Sequence, residues 1–84
     1  MIIENAKIAV IGLGYVGLPL AIEFSKLKYV VGFDINSNRV EELKGGRDST
    51  LEVDTSSLID PTNLVFTDEI EDLKCCTVFI ITVP

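Results

Sequence analysis

"IGLGYVGLPL", residues 11–20, carries glycines at Gly12, Gly14 and Gly17 and a proline at Pro19. The spacing Gly-x-Gly-x-x-Gly alone is no more than a turn-prone string, and its flanks decide what it is. Upstream, "KIAVIG" (Lys7 to Gly12) is a short apolar run rich in β-branched residues and stopped by glycine. That pattern predicts a buried parallel strand. Downstream, Val16, Leu20, Ala21, Phe24 and Leu27 recur at intervals of three and four, which predicts one apolar helical stripe. "YVVGFD" (Tyr29 to Asp34) is a second strand, ending in an acid 22 residues after Gly12. Strand, glycine turn, helix, strand and terminal acid make up the βαβ fingerprint of a dinucleotide site.

Each part has a physical task. Gly12 permits the tight turn off the strand. Gly14, without a side chain, lets a pyrophosphate approach the backbone. Gly17 lets the helix pack closely on the sheet. The free N–H groups of the first helical turn hold the anion, aided by the positive end of the helix dipole. Tyr15 and Val16 contribute mainly through their backbone N–H groups. The Asp34 carboxylate can accept both hydroxyls of the adenosine ribose and would repel a 2′-phosphate, which favours NAD over NADP.

Other positions stay open. Arg39, five residues past Asp34, is within reach of the ribose, the adenine face or a phosphate. Contact with a 2′-phosphate would admit NADP, and a solvated helix arginine would have the same spacing. Ile35 lines an adenine slot or packs in the core. The Tyr15 ring covers the cofactor or is a plain surface aromatic. Thr82 and Val83 end the last strand at the carboxyl edge of the sheet, where ligands bind in such folds, although a core strand end would read the same. Pro19 is tolerable only near the first turn of a helix. With a helix beginning at Val16, it would lie just beyond the free N–H groups and loosen that turn.

The rest of the chain repeats the alternation. "NSN" (Asn36 to Asn38) offers caps, and Asn38 with Glu41 resembles a capping box. "RVEELK" then runs to the helix stop Gly45-Gly46. The pattern weakens from Arg47 to Asn63, where "SSLIDPTN" has room for one helical turn before Pro61. "LVFT" (Leu64 to Thr67) predicts a strand, "DEIEDLK" (Asp68 to Lys74) a short helix with acids in its first turn, and "TVFIITV" (Thr77 to Val83) a buried strand. The order β-α-β-α-β-α-β makes the fold class α/β: a partial, Rossmann-type doubly wound parallel sheet of about four strands with crossover helices.

Composition narrows the function. The 84 residues suffice for one domain, and residues 1–84 read as the N-terminal part of a dinucleotide-binding domain. The sequence stops at Pro84, straight after its most apolar strand. The expectation is a piece of a longer polypeptide that, isolated, self-associates through this segment or through uncovered helix faces. A net charge of −6 with seven scattered basic residues argues against nucleic acid. No apolar run approaches the roughly 18 residues that span a bilayer, and the N-terminus does not resemble a signal peptide. A cytoplasmic protein with no membrane or nucleic-acid partner is expected. Histidine is absent. Cys75 and Cys76 cannot form a disulfide framework or a zinc site and read as small residues at a strand start. No metal ligand and no catalytic residue is assigned.

"KIAVIGLGYVGLPLAIEFSK", "VVGFDINSNRVEELKGGRDSTLEV" and "VFIITVP" resemble the N-terminal domain of the UDP-glucose/GDP-mannose dehydrogenase family over nearly the whole chain. "GRDSTLEV" looks most like the branch acting on UDP-N-acetylhexosamines (galactosamine or glucosamine) in polysaccharide synthesis. The resemblance implies NAD bound by the backbone at Tyr15 and Val16, with Asp34 and Arg39 at the adenosine end. It implies oxidation of a UDP-sugar C6 alcohol to the carboxylate, in two hydride transfers through a thiohemiacetal, by a full-length enzyme expected to be a homo-oligomer. The family's nucleophilic cysteine lies in a later domain, and Cys75 and Cys76 do not resemble its motif, so residues 1–84 alone should be inactive. Glu52 sits where family members often carry a glutamate, either near the active site or as a solvated loop acid. Two other readings remain: a non-catalytic nucleotide-sensing module, and a β-hydroxyacid-type NAD dehydrogenase. The latter typically has methionine where Val16 stands.

Overall fold

The structure is a computed structural model and describes residues 6–49 and 63–82. In chain order these form β1 (Ile8–Ile11), α1 (Gly17–Ser25), β2 (Val30–Phe33), α2 (Ser37–Lys44), β3 (Leu64–Thr67), a 3-10 turn (Ile70–Leu73) and β4 (Val78–Ile81). All strand pairings among them are parallel, in the order β3-β2-β1-β4. Ile8 stands opposite Val30 on one side and Val78 on the other. The chain winds outward from β1 to β3, then returns to place β4 on the far side of β1. That reversal puts a topological switch point, the usual ligand crevice, at the carboxyl end of β1.

The two sheet faces are covered differently. Ile8, Val10, Val30, Leu64 and Phe66 meet Leu18, Ala21 and Ile22 of α1 and Val40 and Leu43 of α2 in one buried cluster. Both helices therefore lie on the same face, as two successive crossovers in one direction require. On the other face Ala9, Val31 and Cys76 pack with Leu73 beside the 3-10 turn. Phe79 and Ile81 of β4 point to that thinner side and are 51% and 70% exposed. The expectation of a buried last strand is thus met in part at Val78 and Ile80, which are half-buried against the helical core, and fails for Phe79 and Ile81.

The helical stripe read from sequence is rotated. The buried face of α1 is Gly17, Leu18, Ala21 and Ile22, whereas Val16 and Leu27 are exposed. Gly17 sets this face. A Cβ there would collide with the Gly12 carbonyl, so the first turn of the helix rides directly on the chain leaving β1. Gly12 itself has φ +99, and a Cβ on it would come 2.7 Å from the Thr82 carbonyl oxygen. Helix α1 starts at Gly17, with Val16 as its N-cap. Pro19 is therefore the third helical residue; the Leu18 and Leu20 N–H groups on either side donate to the Gly14 and Val16 carbonyls, and Pro19, without an N–H, leaves out the bond to the Tyr15 carbonyl between them.

Other local signals shift slightly. The cap of α2 is Asn36, whose side chain accepts from the N–H groups of Asn38 (3.0 Å) and Arg39 (3.3 Å), so Asn38 and Glu41 form no capping box. The helix stops where expected, at Gly45, with Gly46 at φ +80. Within residues 68–74 the structure has the 3-10 turn Ile70–Leu73 rather than an α-helix. The Thr67 hydroxyl accepts the Glu69 N–H at 3.0 Å and donates to Asp72, which tightens the chain right after β3. The helical turn expected in "SSLIDPTN" and the position of Glu52 lie outside the described residues. Among the described residues no helix is long and apolar enough to cross a membrane.

Gly17→Ala should lower stability by about 1–3 kcal/mol or more, as overpacking does, despite alanine's advantage of roughly 1 kcal/mol in a helix. Urea denaturation reads this directly. An unchanged midpoint would show that α1 does not ride on the glycine turn.

Candidate functional site

At the carboxyl ends of β1 and β2 lies a cleft of about 470 Å³. The turn from Gly12 to Val16 forms one wall, with Asp34, Ile35 and Thr82 completing it. Backbone bonds fix the turn to the sheet: Gly12 N–H donates to the Phe33 carbonyl at 2.8 Å, and Asp34 N–H to the Thr67 carbonyl at 3.1 Å. The Thr82 hydroxyl donates to the carbonyls of Gly12 (3.0 Å) and Ile11 (3.2 Å), tying the end of β4 to the same turn.

Leu13 anchors the loop. Its side chain is fully buried. Its N–H donates to Asp34 Oδ2 at 2.9 Å, while Asp34 Oδ1 accepts the Asn36 N–H at 2.9 Å. The carboxylate is thus oriented at the cleft before any ligand arrives, and each of its oxygens keeps lone-pair capacity for a further donor. Among the described residues, no acceptor takes the N–H groups of Gly14, Tyr15, Val16 or Gly17. This row opens α1 and lines the cleft through Gly14, Tyr15 and Val16. Free N–H groups at the positive end of a helix make an anion site.

Gly14 tests whether a dinucleotide suits the cleft. A Cβ there would meet no protein atom within 4 Å. Nothing in the protein demands a glycine at this position, but a ligand backed against the main chain would. The residues present therefore fit the pyrophosphate of a dinucleotide. Tyr15 (67% exposed) and Ile35 (87% exposed) stand at the rim, so Ile35 is not a core residue. Val83 lies outside the described residues.

Arg39 is not a solvated helix arginine, and it does not line the cleft. Its Nε donates to the Leu13 carbonyl at 2.7 Å, behind the glycine turn. Its Nη1 pairs with Glu42 Oε1 at 3.0 Å and with the buried Asp48 Oδ1 at 2.9 Å. It borders a neighbouring groove of about 370 Å³ with Asn36, Asn38, Glu42, Arg47 and Ser49. Sequence reading missed this cluster. The i, i+3 spacing of Arg39 and Glu42 was a visible signal, but nothing in the string marks Asp48, which enters from beyond the Gly45-Gly46 stop. Cys76 behaves as a core residue: burial, then the neighbouring Cys75, pushes its thiol above the usual range.

The Ser49 hydrogen bond, reinforced by Arg39, holds the Glu42 carboxyl below its ordinary value of 4.5 against the opposing effect of burial. A depressed folded-state value contributes stability that is present above the unfolded value and lost as pH falls through the folded one. The acid limb of the stability curve below about pH 4.5 should therefore be shallower in Glu42→Gln than in the wild type, read by thermal melts across pH. Superimposable limbs would remove Glu42 from the cluster.

The chain can be set beside known proteins. Residues 6–84 match the model of the "UDP-glucose/GDP-mannose dehydrogenase family, NAD binding domain". A UDP-N-acetyl-D-glucosamine 6-dehydrogenase of Pseudomonas aeruginosa is 58% identical over 96% of this chain and 19% of its own length. A UDP-D-ManNAc dehydrogenase structure from Pyrococcus horikoshii matches with a TM-score of 0.81 and 43% identity, over 92% of this chain and 20% of that one. A GDP-mannose dehydrogenase structure from Pseudomonas aeruginosa has the same TM-score at 25% identity, over 92% of this chain and 19% of that one. The chain thus spans about a fifth of the length of these relatives. On the family model's match over residues 6–84, the chain belongs to the UDP-glucose/GDP-mannose dehydrogenase family, through its NAD binding domain.

Proposed function

We propose that residues 1–84 are the N-terminal NAD-binding part of a nucleotide-sugar 6-dehydrogenase. Its substrate is a UDP-N-acetylhexosamine, whose C6 alcohol it oxidises to the carboxylate for polysaccharide synthesis. The observation that carries the reading is the run Gly14–Val16, whose N–H groups have no acceptor among the described residues, lining the same cleft as the oriented Asp34 carboxylate. The sugar class rests on the names of relatives 58% and 56% identical to this chain, both UDP-N-acetyl-D-glucosamine 6-dehydrogenases.

The roles follow from position. Gly12 and Gly17 make the turn, and Gly14 admits the pyrophosphate to the N–H groups of Tyr15, Val16 and Gly17. Asp34 takes the adenosine ribose hydroxyls, with Ile35 bordering the adenosine. Arg39 serves the same end of the cofactor from behind Leu13. When bound, NAD supplies the hydride acceptor. This chain's own residues bind and orient it, and the groups that act on the sugar belong to later parts of a cytoplasmic, homo-oligomeric enzyme.

Asp34→Ala should weaken NAD binding by roughly 10- to 150-fold, the equivalent of the 1.5–3 kcal/mol of a charge-assisted hydrogen bond. Isothermal titration of the full-length protein measures it. Gly14→Ala should lose NAD while keeping wild-type thermal stability. Unchanged NAD affinity in both variants would overturn the site. A full-length wild type that binds NAD yet forms no NADH with UDP-N-acetylglucosamine or UDP-N-acetylgalactosamine would overturn the substrate.

A further inference from the structure

The Arg39 cluster has a second consequence. In dinucleotide sites of this fold, an arginine near the end of the second strand can accommodate the 2′-phosphate of NADP. Arg39 is such an arginine by position. Its Nε is hydrogen-bonded to Leu13, the residue whose N–H is held by Asp34, so the guanidinium lies within a residue's length of the ribose-binding carboxylate. It does not form an ion pair with Asp34. Two other acids take its charge, Glu42 and Asp48, with side-chain exposures of 19% and 0%. Glu42 is in turn held by the Ser49 N–H through its second oxygen, at 2.6 Å. Among the described residues, two carboxylates thus pair with the Arg39 guanidinium.

We propose that Glu42 and Asp48 are specificity-determining residues: by holding Arg39 against the Leu13 carbonyl and neutralising it, they deny a 2′-phosphate its cation and set the preference for NAD over NADP. This rests on the dinucleotide reading of the cleft and deepens it. Asp34 repels the 2′-phosphate from within the cleft. Glu42 and Asp48 act from behind the loop, without touching the cofactor, by fixing which partner Arg39 serves. A phosphate carries up to two negative charges near neutral pH, so removing one or two of the carboxylates paired with the Arg39 guanidinium raises its attraction. NAD, lacking that group, gains nothing.

The test measures Kd for NAD and for NADP by isothermal titration in the full-length protein, for Glu42→Gln, Asp48→Asn, the double variant, and each of these with Arg39→Gln. The ratio of the two constants is the readout, because a purely structural loosening of the loop weakens both cofactors together and leaves it unmoved. The double variant should shift the ratio toward NADP at least tenfold, and Glu42→Gln alone about threefold. The shift should vanish once Arg39 is Gln. A ratio within twofold of wild type in variants that still bind NAD would overturn the proposal, and so would a shift that persists without Arg39. If the double variant does not fold, the less buried Glu42→Gln decides alone on the same criterion. A wild type that binds neither cofactor would instead overturn the dinucleotide reading.

Discussion

The contact on which the rest of the structure depends is the passage of Gly17 over the carbonyl of Gly12. No side chain of any size fits between them. Because α1 begins on top of the chain leaving β1, the helix has only one rotational setting, with Leu18, Ala21 and Ile22 turned to the sheet. The same contact aims the first helical turn at the sheet edge, and Gly14, Tyr15 and Val16 line the cleft there. Core packing and anion site are thus consequences of one steric constraint. The positive φ of Gly12 and the hydroxyl of Thr82 close the geometry from the other side.

That constraint explains which parts of the molecule were legible. The four strands, the first two helices and their parallel arrangement follow from short β-branched runs, glycine stops and an alternating pattern, and these appear in the structure, whereas the third expected helix is a 3-10 turn. The stripe Val16, Leu20, Ala21, Phe24 and Leu27 was right at Ala21 and Phe24, which meet the core, and wrong at Val16 and Leu27, because periodicity alone makes it an acceptable apolar face. The face is chosen by a backbone collision at Gly17, which no hydropathy pattern records. Likewise the cap of α2 is Asn36 and not Asn38, since two further N–H groups sit within reach of Asn36. The glycines, Asp34 and Ile35 could be named from spacing because their roles are local to one βαβ unit. Asp48 could not, since it meets Arg39 only after the chain has turned at Gly45 and Gly46.

The cleft is organised ahead of its ligand. Leu13 is held by its N–H to Asp34 and by its carbonyl to Arg39, so the loop conformation does not wait for a pyrophosphate to impose it. Binding then avoids most of the loop-ordering entropy that a flexible glycine turn would otherwise lose. Glycine gives the backbone freedom that the site needs for close approach, and these two bonds remove the freedom it does not need.

The ionic half of that arrangement is hard to explain as a source of stability. Desolvating a guanidinium and two carboxylates costs several kcal/mol per ion, and well-packed apolar residues often serve the fold as well or better. What an apolar replacement could not do is donate to the Leu13 carbonyl along a fixed direction. A planar guanidinium can, because its Nε–H and Nη–H groups point in set directions. With Glu42 and Asp48 holding Nη1, Nε is aimed at the loop. The cluster is therefore best understood through the geometry it imposes on the residue between Gly12 and Gly14, and only secondarily through the stability it adds.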